Sequence, residues 1–155
     1  MNAIEQLKAG HQEALELMQR IEFLNDDSPK AKALKRDLVD QLRRSLRLHA
    51  WREAGVFYPA LAEFRELDNL IEQARRDHHL IQELIARIST ERWTEKDDQI
   101  LADLSEGFGI HAHEEETHLL ASAERLLGEE RLESLGRRIE QMGSARVAIA
   151  SDGGR

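Results

Sequence analysis

Two pairs of residues in this sequence have the types and spacing to hold a metal ion. His49 with Glu53, in HAWRE, and His111 with Glu115, in HAHEE, each set an imidazole four residues before a carboxylate. On a helix that spacing is one face and about one turn, close enough for both side chains to reach one ion. The spacing alone carries little weight. Seven histidines in a chain where 30 of 155 residues are Asp or Glu meet an acid at that offset once or twice by chance, and His79 with Glu83 is such a coincidence. What gives the pairs meaning is whether the elements around them bring them to one place.

Those elements are helices. Only two prolines, at 29 and 59, break the chain, and the stretches between breakers repeat apolar residues every 3.5 to 3.6 positions. The first opens at Asn2 with Glu5 three residues on, a capping-box signature, and its inward stripe is Ile4, Leu7, His11, Ala14, Met18 and Ile21. Ser28 and Pro29 start the second, with Leu38, Leu42, Ser45, His49, Glu53 and Val56 in line. The third carries Leu67, Ile71, Ala74, His78, Ile81, Ile85 and Ile88. Thr94 with Asp97 starts the fourth, whose stripe is Leu101, Leu104, Phe108, His111, Glu115, His118 and Ser122. Gly128 is placed to end it, and a shorter segment follows with Leu132, Leu135, Ile139 and Met142 on one side.

The expected fold is all-α: an up-down-up-down antiparallel four-helix bundle over residues 1–127. An extra short C-terminal helix is expected over 129–142, and a disordered tail over 143–155. The C-terminal helix has two uses open to it, covering one flank of its own bundle or pairing with a second copy, so monomer and homodimer both stand.

In an antiparallel bundle, side chains that meet at one level require each connection to lie halfway between them in sequence. The midpoint of His11 and His49 is residue 30, beside Ser28-Pro29. That of His49 and His78 falls at 63–64, just beyond Pro59, and that of His78 and His111 at 94–95, on the Thr94 cap. One histidine from each helix, with Glu53 and Glu115 beside them, therefore converges at mid-height in the core. Burying so many ionisable groups without a counter-charge costs several kcal/mol each, and a bound cation removes that cost. Four imidazoles and two carboxylates match a pair of first-row ions, two histidines to each with the glutamates bridging; iron, manganese and zinc suit such a sulfur-free set.

Composition excludes much else. The chain has no cysteine, which removes disulfides, thiolate nucleophiles, Cys-based zinc sites and iron–sulfur ligation. A net charge of -8 offers no general attraction to phosphate backbones or anionic lipid, so neither nucleic acid nor membrane is an expected partner. With 9 Gly and 2 Pro there are too few turn formers for an all-β fold. The opening MNAIEQLKAGHQE lacks the layout of a signal peptide, and no run approaches a membrane span; the expected compartment is the cytoplasm.

Across residues 3–127 the sequence resembles the hemerythrin-like HHE proteins, which carry a His in helix 1, HxxxE in helix 2, a His in helix 3 and HxxxE in helix 4. Here the same order reads His11, HAWRE, His78 and HAHEE, and the contexts LKAGHQEALELMQRIE, HAWREAGVFYPAL and RRDHHLIQELIARI are similar too. The resemblance implies a non-haem di-iron centre with the imidazoles as terminal ligands, Glu53 and Glu115 as bridges, and an open position facing dioxygen, nitric oxide or peroxide. Oxygen-carrying hemerythrins have HxxxH in helix 3, whereas position +4 from His78 is Gln82, which argues against reversible oxygen storage. Their acid at +5 in helix 4 corresponds to Glu116, but Glu115 lies on the inward stripe.

Several other residues need placing. His78 continues the inward line while His79 is rotated about 100° from it, and His113 points toward solvent. HEEETH misses the zincin spacing by one residue, and the ExxH of Glu115 and His118 lacks the partners a ferritin-like site requires. His118, three residues after Glu115, is expected on the inward face, either packed or lining the open position as an extra ligand or proton donor. Tyr58 would approach the centre only if the helix deforms near Gly55. The basic run KAKALKR with Arg43, Arg44 and Arg47 is expected on a solvated face, and Trp51 and Trp93 are expected to pack. Three functions follow: binding or sensing of a small diatomic ligand, an oxidoreductase acting on peroxide or nitrogen oxides, or a metal site that stabilises the fold or passes iron on.

Overall fold

The computed structural model describes residues 1–89 and 91–152, with side chains to Gly143. Its elements are α1 (Ala3–Phe23), α2 (Pro29–Arg52), a π turn (Glu53–Phe57), α3 (Tyr58–Ala60), a 3₁₀ turn (Arg65–Leu67), α4 (Asp68–Arg87), α5 (Glu95–Glu114), a second π turn (Glu115–Leu120) and α6 (Ala121–Asp152). Among the described residues there is no strand, and no helix is long and apolar enough to cross a membrane.

The helix starts follow the capping chemistry written in the sequence. Asn2 and Glu5 exchange hydrogen bonds of 2.8 and 3.0 Å, Ser28 Oγ accepts from the Ala31 N–H at 3.2 Å, and the Asp97 carboxylate accepts from the Thr94 N–H at 2.8 Å. Each satisfies a donor that the first helical turn leaves open. Gly128, at φ 77°, breaks α6, a conformation open to glycine at low cost.

Four rods form the bundle: α1, α2 with its π turn and α3, α4, and α5 with its π turn and the start of α6. Around the bundle α1 touches α2 and α5, and α4 touches α5 and α2. Opposite chain direction is visible in side-chain pairs. Glu22 meets Ser105 and His11 meets Glu116, so moving eleven residues back along α1 moves eleven forward on the opposing rod.

Two apolar clusters make the core. One joins Ile4 and Leu7 to Phe57, Leu61, Ile71, Leu120 and Ile139; the other joins Met18 and Ile21 to Leu42, Ile85, Leu104 and Phe108. Between them lies the polar layer of His11, His49, Glu53, His111 and Glu115, all buried, so the core is divided by the candidate site.

After Gly128, α6 folds back on its own bundle. Leu132, Leu135 and Ile139 complete the first cluster, and Gln6 Nε2 donates to the Gly136 carbonyl at 2.8 Å. The C-terminal helix thus covers a flank of its own chain. The tail expected over 143–155 lies largely outside the described side chains; α6 is traced to Asp152, and residues 153–155 lie outside the described residues.

Two glycines separate packing from propensity. A Cβ on Gly136 would lie 2.7 Å from the Met1 carbonyl oxygen and 3.0 Å from Asn2 backbone atoms, whereas one on Gly107, in α5, would meet nothing within 4 Å. Urea unfolding of the two alanine variants should therefore move in opposite directions. Gly107→Ala gains about 0.5–1 kcal/mol from helix propensity, and Gly136→Ala loses stability because backbone must move. Equal shifts would mean that α6 is not seated where described.

Candidate metal centre

The layer between the two apolar clusters holds six side chains from four rods. His49 Nε2 lies 2.7 Å from Glu53 Oε1 and His78 Nε2 2.6 Å from Glu53 Oε2. His11 Nε2 stands 3.3 Å from Glu115 Oε1 and 3.7 Å from Glu53 Oε1, and His111 Nε2 3.7 Å from Glu115 Oε2. The structure thus brings together all six residues expected from the sequence to hold metal.

Both glutamates stand at the start of a π turn, and those turns set what else reaches the layer. On an ideal α-helix Tyr58, five residues after Glu53, would sit about 140° around from it. The π turn absorbs one extra residue, so Tyr58 takes the inward phase of an ordinary +4 position. Its hydroxyl lies 2.9 Å from Glu53 Oε2, 2.7 Å from Glu115 Oε2 and 3.3 Å from His78 Nε2. The deformation that sequence analysis made a condition for Tyr58 is present, beginning two residues before Gly55. Gly55 also lets the backbone pass α6, since a Cβ there would lie 2.9 Å from Met142 Cε.

The second π turn has the opposite effect on His118, whose expected inward placement is not what the structure shows. Three residues past Glu115, it takes the phase of an ordinary +2 position and turns outward. Its side chain is 53% exposed, with Nε2 3.3 Å from Glu114 Oε2. Leu119 and Leu120 are buried in its stead. A signal for this stood in the sequence: Leu119, Ala123 and Leu127 are apolar at spacing four from Glu115, while His118 and Ser122 are polar. His79 and His113 are exposed, as expected.

Two further carboxylates, not singled out as partners from the sequence, fix ring orientation. Asp77 Oδ2 lies 3.1 Å from His111 Nδ1 and Glu116 Oε1 3.0 Å from His11 Nδ1. Each engages the outer nitrogen and so leaves Nε2 facing the layer, the usual arrangement around a ligating imidazole. Glu116 accordingly faces the outer edge of His11, with Glu115 on its inner edge. Gly10 makes room for the neighbouring ring, because a Cβ there would come within 2.4 Å of His49 Nδ1.

The polar atoms at the centre of the layer test whether a metal fits. His11 Nε2, His49 Nε2, His111 Nε2, Glu53 Oε1 and Glu115 Oε1 are all buried without a hydrogen-bond partner, although buried polar atoms are ordinarily paired. One donor atom each from His11, His49, Glu53 and Glu115 lie within 4.8 Å of one another, and so do donors from Glu53, His78, His111 and Glu115. Two quartets that share both carboxylates could hold two ions, and the nitrogen and oxygen donors suit borderline first-row metals.

Without a cation, protons must balance this charge. Burial pushes Glu115 up, the facing Glu53 adds to it, and its carboxyl reaches about 8. Burial also acts to lower His11, but the close carboxylates of Glu115 and Glu53 outweigh it and bring the imidazole to about 10. Glu53 is held well below the usual carboxylate range: burial would raise it, but His49 and the other imidazoles prevail. Burial lowers His49 and takes His111 to about 4.

One face of the layer is open to small molecules. A cavity of about 330 Å³ between α4 and α5 is lined by Leu70, Ala74, Ile110 and Leu119, with Asp77 at its side and His111 and Glu115 on its wall. His11 and His49 do not line it.

A family profile described as Hemerythrin HHE cation binding domain matches residues 2–143. The fold is similar to the crystal structure of a hemerythrin HHE cation binding domain-containing protein from Mycobacterium kansasii, with a TM-score of 0.76 and 24% sequence identity, covering 100% of this chain and 95% of that one. At that identity the likeness is one of fold. Comparison with curated proteins finds no match.

Metal uptake should be proton-linked. At pH 7 the metal-free protein holds at least one proton on the facing Glu115 and His11 pair, each of which is raised above its ordinary value, and ligation requires both groups deprotonated. Calorimetric titration with a divalent metal in buffers of different ionisation enthalpy should show net proton release and an affinity that rises from pH 6 to 8. An affinity independent of pH over that range would contradict this charge balance.

Proposed function

The chain belongs to the hemerythrin HHE cation-binding family, and from that premise we propose that it is a non-haem di-iron protein that binds or senses a small diatomic ligand, dioxygen or nitric oxide. In this reading His11 and His49 would hold one ion, His78 and His111 the other, and Glu53 and Glu115 would be shared by both. The observation that carries it is the set of five buried donor atoms without a hydrogen bond, from three of the four rods, on a layer that opens beside His111 and Glu115 into a small cavity.

Bound ferrous ions would supply the electrons and the open coordination position that capture of such a ligand needs. The chain supplies the rest. Asp77 and Glu116 hold the His111 and His11 rings with Nε2 inward. The apolar clusters above and below exclude water, which strengthens every charge interaction in the layer. The Tyr58 hydroxyl stands within hydrogen-bond distance of both carboxylates and of His78. That position supports a role as a further donor to the His78 and His111 half, where a cation would counter the burial and the two carboxylates that now raise its proton affinity. The cavity favours the same half for ligand entry, because it touches His111 and Glu115.

The donor set would also take manganese or zinc, but zinc brings no redox chemistry, which favours iron for a gas-binding role. Binding is preferred over peroxide turnover because His118, the group considered for proton delivery, faces solvent beside Glu114. The apolar stripe of α6 lies against its own bundle, which supports a monomer over a homodimer.

Two measurements test the reading together. Metal analysis of protein purified without added metal should find two iron ions per chain, with zinc or a single ion counting against it. Anaerobic reduced protein titrated with nitric oxide or dioxygen should show one stoichiometric change in its visible spectrum. Sustained oxygen evolution from added peroxide would replace binding with the oxidoreductase reading, and indifference to all three would leave a purely structural metal.

A further inference from the structure

The basic run KAKALKR, expected on a solvated face, has one member that is not solvated. Lys32 and Arg36 are exposed, but Lys35 is only 9% exposed. Its ammonium lies 4.7 Å from the centre of the Trp93 ring. Its nearest carboxylate, Asp98 Oδ1, is 4.0 Å away, beyond hydrogen-bond distance, and that oxygen already accepts from Trp93 Nε1 at 2.7 Å. Among the described residues the Lys35 ammonium has no hydrogen-bond acceptor, and its ion pair with Asp98 is a long one.

Lys35 lines a cavity of about 370 Å³ whose wall also includes Lys32, Arg36, Arg92 and Trp93, with Asp27 and Glu91 as the opposing acids. Four cations against Asp27 and Glu91, with Asp98 beside Lys35 as a third acid, still leave a local positive excess on a chain whose net charge is -8. The cavity sits where the connection from α1 to α2 meets that from α4 to α5. The N-terminus of α2, at Pro29, lies beside it with no acid in its first turn and adds its positive dipole end, whereas that of α5 is already met by Glu95, Asp97 and Asp98. Lys35 precedes His49 by fourteen residues on α2, or about 21 Å at 1.5 Å per residue, so this place is separate from the metal layer.

We propose that this cavity binds a small polyvalent anion carrying phosphate or carboxylate groups. Arg36 and Arg92 present planar forks suited to two oxygens each, Lys35 supplies an ammonium at the wall that no hydrogen bond within the chain engages, and Trp93 provides an apolar side. The volume falls in the range of small-molecule sites. The sequence concealed the site because helix periodicity spreads KAKALKR around α2, and only the packing of Trp93 shows which lysine turns inward.

Trp93 is also the reporter. In a Trp51→Phe background it is the sole tryptophan, and its emission can be followed while the metal-loaded protein is titrated at low ionic strength. The probes are fructose 1,6-bisphosphate, as a phosphate source, and tricarballylate, as a carboxylate source; both chelate metal weakly, and metal content is checked before and after. Calorimetry gives the same constant if emission does not move. The expected result is saturable binding to at least one probe, weakened roughly tenfold by Lys35→Met and by Arg36→Gln, and weakened by added salt. A response to one probe alone identifies the anion class. Arg36 is exposed, so its variant keeps the test valid even if Lys35→Met disturbs folding. Silence toward both probes at about ten millimolar, or unchanged affinity in both variants, would overturn the proposal.

Discussion

The structure depends on a charge problem in its interior. Four imidazoles and two carboxylates occupy one layer between two apolar clusters, and six of their buried polar atoms make no hydrogen bond. In a low-dielectric interior such atoms are expensive unless something between them supplies the missing interactions. Protons do part of that work, which is why Glu115 is driven up to about 8 and His11 to about 10. They do it poorly, because a proton satisfies one donor pair whereas an ion satisfies four or more. The layer is therefore a place where folding and cation binding favour each other.

The geometry that makes the layer possible is local. Each HxxxE motif runs along an ordinary helix as far as its glutamate and then enters a π turn, and such turns recur at functional sites because they re-aim side chains without ending the helix. Here the first brings Tyr58 onto both carboxylates, and the second turns Leu119 and Leu120 inward and His118 out. Outside the layer, Asp77 and Glu116 orient two of the four rings. The cavity between α4 and α5 then makes the two halves of the centre unequal: one is enclosed by apolar packing, the other reachable from outside.

Much of this was legible in the sequence. The helices were, because capping residues at Asn2, Ser28 and Thr94 mark their starts and a single hydrophobic period runs through each. The meeting of His11, His49, His78 and His111 at one level was legible from connection midpoints, since helix rise is uniform. What periodicity could not give was any departure from itself. His118 continued the α-helical phase and was expected inside; the π turn at Glu115 carries no glycine or proline to announce it, although the apolar spacing of Leu119, Ala123 and Leu127 does. Tyr58 was legible only as a condition on Gly55. Asp77 and Glu116 act across rods, and Lys35 acts through Trp93 from another connection, so their roles appear only once the rods are side by side.

The central claim is that two ions share Glu53 and Glu115 within this layer, and the most direct test is X-ray absorption at the iron edge on the iron-loaded protein. The account predicts a first shell of nitrogen and oxygen donors and a metal–metal distance of about 3.5–4 Å, the spacing of paired sites, both lost in Glu53→Ala. A spectrum with no metal–metal contribution at full occupancy, or one unchanged by Glu53→Ala, would contradict it.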